Sequence, residues 1–180
     1  IERLAIALAN LHSIKLNKYG KPLAERKGGS RMDYFHDGVE TLRTLASSFT
    51  DHNDVTSLVN QSLDRMENQA HEMNEAFLDT NFTLIHFDLN KGNILYSKKE
   101  GDLAIVDWEQ ASAGDNAMDI AKCFLKLNFN EEQKRLFLHE YQAEQTEKDI
   151  YLDARLKVYE HFVLINSVLW RLGVLRNRQE

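Results

Sequence analysis

Residues 84–110 read LIHFDLNKGNILYSKKEGDLAIVDWEQ. Two apolar runs, TLIH ending at His86 and LAIVDW starting at Leu103, each finish on polar residues. Between them lies H-F-D-L-N-K-G-N. T-L-I-H, N-I-L-Y and L-A-I-V-D are short and rich in branched residues, which is the signature of strands. K-K-E-G-D carries a turn glycine, so N-I-L-Y and L-A-I-V pair as a β-hairpin over residues 93 to 107. That hairpin brings Asp107 back beside Asn93. The spacing H-x-D-x-x-x-x-N puts Asp88 and Asn93 in one tight loop with His86 at its start.

Outward from this stretch the apolar period is helical. Ile1, Leu4, Ala5, Leu8 and Leu11 predict an amphipathic helix over residues 1 to about 13. Residues 14–30 carry Lys15, Lys18, Lys21, Arg26 and Lys27 among glycines and read as a basic surface loop. Phe35, Val39, Leu42 and Leu45 share one face of a helix over 31–48. Residues 51–54 offer caps for a long helix whose apolar stripe runs from Val55 through Leu63 and Met66 to Phe77. After Gly114 the helical period returns, with Asp115 as its N-cap. Asn130 caps a helix over 131–144. Thr146 caps a last one that turns Leu156, Tyr159, Phe162, Val163, Asn166, Leu169 and Trp170 inward. The expected fold is mainly α with one small β-hairpin, an α+β unit spanning residues 1–180.

The bulk composition narrows the function classes. A formal net charge of −6 over 180 residues argues against a nucleic-acid binder. Cys123 is the single cysteine, so no intrachain disulfide forms and a reducing, cytoplasmic setting is expected. No apolar run approaches the roughly 20 residues of a membrane span. His12, His36, His52, His71, His139 and His161 lack paired metal-ligand spacing and read as core or surface residues.

The central cluster has a chemistry of its own. A carboxylate and an amide oxygen, Asp107 and Asn93, make a hard-oxygen pair suited to Mg²⁺, which fills the rest of its shell with phosphate and water. Asp88 is then left to orient an attacking hydroxyl and accept its proton. A positioned nucleophile and a metal on the phosphates are the parts that phosphoryl transfer needs.

HFDLNKGNIL, VDWE and GDNAMDIA, with LANLHS near the start, resemble the aminoglycoside phosphotransferase and choline kinase family, relatives of the protein kinases. That family reads roughly H-G-D-x-x-x-x-N, then I-D-[WF]-[EG], then G-D-x-x-x-D-[IL]-A. The likeness is specific over residues 84–124 and loose elsewhere. It implies the C-terminal lobe of a protein-kinase-like fold, with ATP as co-substrate and a small hydroxylated acceptor such as an aminoglycoside, choline or a sugar. It implies Asp88 as catalytic base, Asn93 and Asp107 as Mg²⁺ and nucleotide ligands, and His86 tying the catalytic loop to the core. Asp119 is implied as the support of that loop's backbone. Phe87 stands where the family commonly has glycine. Glu109, Asp33 and Asp37 are candidates for an amine on the acceptor.

Nothing before residue 84 resembles the family's nucleotide lobe, with its glycine-rich loop and lysine. The chain is therefore expected to fold as the C-terminal lobe alone, to be inactive by itself, and to self-associate through its exposed interlobe face. The competing expectation is a non-catalytic, kinase-like module that binds a ligand or partner. A protein kinase fits less well, because only eight residues separate Glu109 from the start of the M-D-I-A run and leave no room for an activation loop.

Overall fold

The computed structural model describes residues 1–21, 24–49 and 53–176. The chain opens on α1 (Glu2–His12), followed by a two-residue strand β1 (Lys15–Leu16), α2 (Arg31–Ser47) and α3 (Asn53–Glu72). β2 (Phe82–Ile85) leads into the polar loop, and β3 (Ile94–Tyr96) and β4 (Leu103–Ile105) follow it. β5 (Ser112–Gly114) precedes α4 (Asn116–Leu127), α5 (Glu131–Glu144) and α6 (Leu152–Arg176). This is the mainly helical α+β fold expected from the sequence.

β3 and β4 pair antiparallel with Ile94 opposite Ile105. Gly101 closes their turn at φ +72°, a conformation that a Cβ disfavours. A second sheet goes beyond the expectation. β2 lies at its centre, antiparallel to both β1 and β5. Part of the basic 14–30 segment is therefore sheet edge rather than surface loop. Two backbone bridges, Tyr19 to Lys27 and Gly20 to Ala113, fold the rest of that segment back onto the domain. Strands of two or three residues carry too few positions for a period-2 signal, so the sequence pattern passes over them. β5 also needs its glycine, because a Cβ on Gly114 would stand 2.5 Å from the Ile85 Cδ1.

The helix starts follow local chemistry. Ser30 and Asp33 form a capping box on α2, and Asn130 and Gln133 form one on α5. Asp115 caps α4 by accepting from the Ala117 amide. Of the caps expected for α3, Asp51 and His52 lie outside the described residues. The long helix ends sooner than its stripe suggests. α3 stops at Glu72, and Phe77 is buried from a separate 3-10 turn, Asn74–Phe77.

α6 begins at Leu152, not near Thr146. Asp149 explains the delay: its carboxylate accepts from the Tyr151 amide and from Arg155, which holds residues 149–151 as a turn. α4 packs on α6, α1 on α5, and α2 on α3. Phe35, Phe77, Tyr159 and Phe162 cluster edge-on or tilted between α2 and α6. Each contributes roughly 2–3 kcal/mol of apolar transfer free energy.

Arg155 is fully buried on α6 and joins the two halves of the helical layer. It donates to Asp115 at 3.2 Å, to Asn116 at 3.1 Å and to Asp149 at 2.6 Å. Asp115 is thus more than a cap. A charged residue inside a helical stripe reads as solvent-facing from sequence, and here three polar partners reverse that. Trp170 lies on the expected face of α6, yet it is 63% exposed. At that level the face has passed beyond the core and borders a cleft shared with Val163, Asn166 and Ser167. Among the described residues no helix is long and apolar enough to cross a membrane.

Candidate active site

The polar loop starts where β2 ends, and its backbone is fixed from α4. Asp119, with no exposed surface, accepts from the His86 amide at 2.9 Å and from the Phe87 amide at 2.7 Å. Its Oδ2 also lies 3.1 Å from His12 Nε2, and His12 Nδ1 lies 2.8 Å from the Tyr141 hydroxyl. Burial by itself would raise the Asp119 carboxyl. His12 and the two amides outweigh that burial and hold it below the usual carboxylate range. One buried carboxylate therefore joins α1, α4 and the loop.

His86 is buried and does not reach the cleft. Its Nε2 lies 3.0 Å from the Val106 carbonyl, and its Nδ1 accepts from the Asp88 amide at 3.3 Å. Those partners place the proton on Nε2. The Trp108 ring stands edge-on at 4.8 Å. The imidazole thus ties the start of the loop to the strand that carries Asp107. It is a positioning residue by geometry.

Phe87 adopts φ +64°. A side chain with a Cβ pays for that left-handed backbone on the order of 1–2 kcal/mol, which gives a physical reason for glycine at this place. Phe87→Ala and Phe87→Gly both remove the ring, and only alanine keeps the strain. The glycine variant is therefore expected to melt higher than the alanine variant, by about 1 kcal/mol in chemical denaturation. An alanine variant as stable as the glycine one would show that the loop relaxes freely.

Asp88 is half-buried and lines a cleft of about 450 Å³ with Asn90, Gln110, Lys122, Lys126 and Trp170. Its Oδ2 lies 3.3 Å from the side-chain amides of both Asn90 and Asn93. Asn93 also donates to the Asp88 carbonyl at 2.8 Å. With its amide nitrogen committed, Asn93 keeps its Oδ1 free of hydrogen bonds among the described residues. The Val106 amide bonds the Asn93 carbonyl at 3.0 Å, which continues the hairpin register and sets Asp107 next in line. Asp107 is exposed at φ +66°, and its carboxylate makes no hydrogen bond or ion pair among the described residues. Two hard oxygen donors on neighbouring chain segments, both unspent, fit Mg²⁺, which keeps much of its shell for water and phosphate. Among the described residues no group of three or more His, Cys, Asp and Glu is placed to hold a metal.

The acidic acceptor candidates do not line this cleft, and Asp37 lines an adjoining pocket of about 310 Å³ that shares Phe87 and Asn166 with it. Glu109 is exposed on a short 3-10 turn and does not line the cleft. Asp33 is bound into the capping box with Ser30. Asp37 accepts from Lys27 at 2.7 Å and Tyr19 at 2.9 Å.

Sequence reasoning missed Lys122. Its ammonium lies 3.6 Å from the Phe87 ring centroid and on the cleft wall with Asp88. Burial pushes its pKa down to about 8, against the opposing pull of Asp88 and Asp119. The available signal was its place one helical turn beyond Asp119.

The model of the phosphotransferase enzyme family matches residues 1–158. No curated protein sequence matches the chain. Among solved structures, choline kinase LicA from Streptococcus pneumoniae is similar with a TM-score of 0.62 at 19% identity, over 99% of this chain and 56% of LicA; LicA is also known in complex with AMP. Plasmodium vivax ethanolamine kinase gives 0.65 at 18% identity, over 94% of this chain and 51% of the kinase. Macrolide 2'-phosphotransferase type I gives 0.57 at 18% identity, over 96% and 53%. The chain spans about half the length of these solved relatives.

Proposed function

The chain belongs to the phosphotransferase enzyme family, and on that premise we propose that it is the catalytic and acceptor-binding half of an ATP-dependent small-molecule kinase. The reaction moves the γ-phosphate of ATP to an acceptor hydroxyl. One observation carries the reading. Asp88 lines a cleft from a loop pinned by Asp119 and His86, with Asn93 bonded to its carboxylate and its carbonyl and Asp107 one residue beyond the Val106–Asn93 backbone bond.

In this reading the acceptor hydroxyl donates a hydrogen bond to the Asp88 carboxylate. As the oxygen bonds the γ-phosphorus, its proton passes to Asp88 and the bond to ADP breaks. Asn90 and Asn93 hold the carboxylate through their amides and keep it from swinging out of line. Asn93 and Asp107 would hold Mg²⁺. A metal held there would supply positive charge against the phosphates.

Positioning and charge stabilisation supply most of the rate in phosphoryl transfer. Among the described residues there is no glycine-rich loop between paired strands. We therefore propose that the 180 residues turn over ATP only when joined to a nucleotide lobe. For the chain taken alone, the exposed Ile1, Ile6, Leu95 and Tyr96 support self-association. A cytoplasmic setting, where ATP and Mg²⁺ are plentiful, is part of the same proposal.

The test is Mg²⁺-dependent transfer of labelled γ-phosphate by the lobe joined to its nucleotide lobe, across amino-alcohols, aminoglycosides, sugars and hydroxy acids. Asp107→Ala should weaken Mg·ATP use on the order of 10²-fold, as expected for the loss of one fixed charge contact to the phosphates. An unchanged Mg²⁺ dependence in that variant would remove Asp107 from the metal site. No transfer to any acceptor, with Mg·ATP bound, would favour the non-catalytic module.

A further inference from the structure

The charges on the cleft wall are lopsided. Asp88 is the single carboxylate among the lining residues, and the proposed chemistry uses it. Lys122 and Lys126 face the same space from α4, and neither has an ion-pair partner among the described residues. Lys21 reaches the rim, 3.4 Å from the Gln110 side-chain oxygen. The exposed Trp170 ring would otherwise offer a face to an ammonium ion. The Lys126 ammonium already stands 5.8 Å from its centroid, within cation–π range. Phe87 is occupied in the same way by Lys122. Both aromatic faces that border the cleft thus carry the chain's own cations. The acids that could have met an amine are off the cleft or committed elsewhere.

We infer that the acceptor is an alcohol that also bears an anionic group, a carboxylate or a phosphate, which Lys122 and Lys126 bind while Asp88 takes the hydroxyl. This rests on the kinase reading of the cleft. The physical argument is complementarity. A cationic acceptor would bring a third positive charge between two ammonium groups with no free carboxylate to meet it. A carboxylate or phosphate gives both lysines a charge-assisted partner in a partly desolvated site, where such bonds are strongest. The depressed Lys122 pKa agrees, since burial outweighs the pull of Asp88 and Asp119 there and an anion in the cleft would offset that burial.

The test uses four small alcohols with the lobe joined to its nucleotide lobe. They are glycerate, glycerol 3-phosphate, glycerol and choline. Binding is measured calorimetrically without nucleotide, so its outcome stands even if no phosphate is transferred. At pH 7, glycerate or glycerol 3-phosphate should bind at least tenfold tighter than glycerol and choline, and the better of the two identifies the anion. Lys122→Met should abolish that preference and Lys126→Met should reduce it, with the folded state of each variant checked by its melting curve. The preference should also fade as pH rises through about 8. Lys122 is the group responsible for that loss. It is faced by Asp88 and Phe87 of the loop, by Asp119 and Lys126 on its own helix, and by Asn166, Ser167 and Trp170 across the cleft. Tighter binding of choline than of both anions, no binding by either anion, or an anion preference intact in Lys122→Met would each overturn the inference.

Discussion

Asp88→Asn is expected to lower kcat about 10³-fold while Mg·ATP affinity stays within about twofold. The substitution keeps the size and shape of the side chain. The shorter contacts that hold the loop do not pass through the carboxylate: Asn93 bonds the Asp88 carbonyl, and Asp119 bonds the amides of His86 and Phe87, while the side-chain oxygen of the replacement asparagine can still accept from Asn90 and Asn93. What disappears is the single carboxylate on the cleft wall, the group placed to take a proton from an alcohol. A residual rate survives, because the nucleotide and acceptor remain positioned. The measurement is steady-state transfer together with nucleotide binding on the same preparation. A variant within tenfold of the parent would mean that the acceptor loses its proton elsewhere, and the role of Asp88 would reduce to shaping the loop.

The arrangement behind this expectation is legible in the sequence because the hairpin and the loop announce themselves locally. K-K-E-G-D places a glycine where the turn needs φ +72°, and the short runs on either side are marked by their branched residues and by that turn rather than by a period. The order of His86, Asp88, Asn93 and Asp107 then follows from chain geometry alone. Lys122 shows where that legibility stops. On α4 it reads as one more solvated lysine, and only the packing of α4 against the Phe87 loop turns it into the cleft. Arg155 fails in the same way, since its partners come from residues 115, 116 and 149, which share no local pattern with it. Trp170, expected to turn inward, stands exposed, because periodicity cannot tell a core from a cleft at the end of a long helix. Each miss concerns a side chain whose meaning is set by distant chain segments.

Asp119→Ala is expected to cost about 3–5 kcal/mol and to lower the melting temperature by about 10 °C. It would leave the His86 and Phe87 amides without an acceptor and His12 without its carboxylate, all in buried surroundings. Each stranded amide costs roughly 1–3 kcal/mol. The loss is not confined to stability. The amides in question are the two that precede Asp88, and one belongs to Phe87, already held at a strained φ. Without Asp119 the His86 and Phe87 amides lose their acceptor, and the strained backbone that leads into Asp88 is held only through His86 and Asn93. kcat should therefore fall even at temperatures where the variant is folded. The pH dependence separates this account from a general packing defect. The Asp119 carboxyl sits below its usual range, so its contribution is present above the unfolded-state value of about 3.9 and is lost as pH falls through the lower folded-state value. The stability gap between the parent and Asp119→Ala should then be full at pH 6–7 and narrow in strong acid. A gap that stays constant down to about pH 2 would assign the loss to packing of α4 rather than to the charge that holds the His86–Asp88 loop.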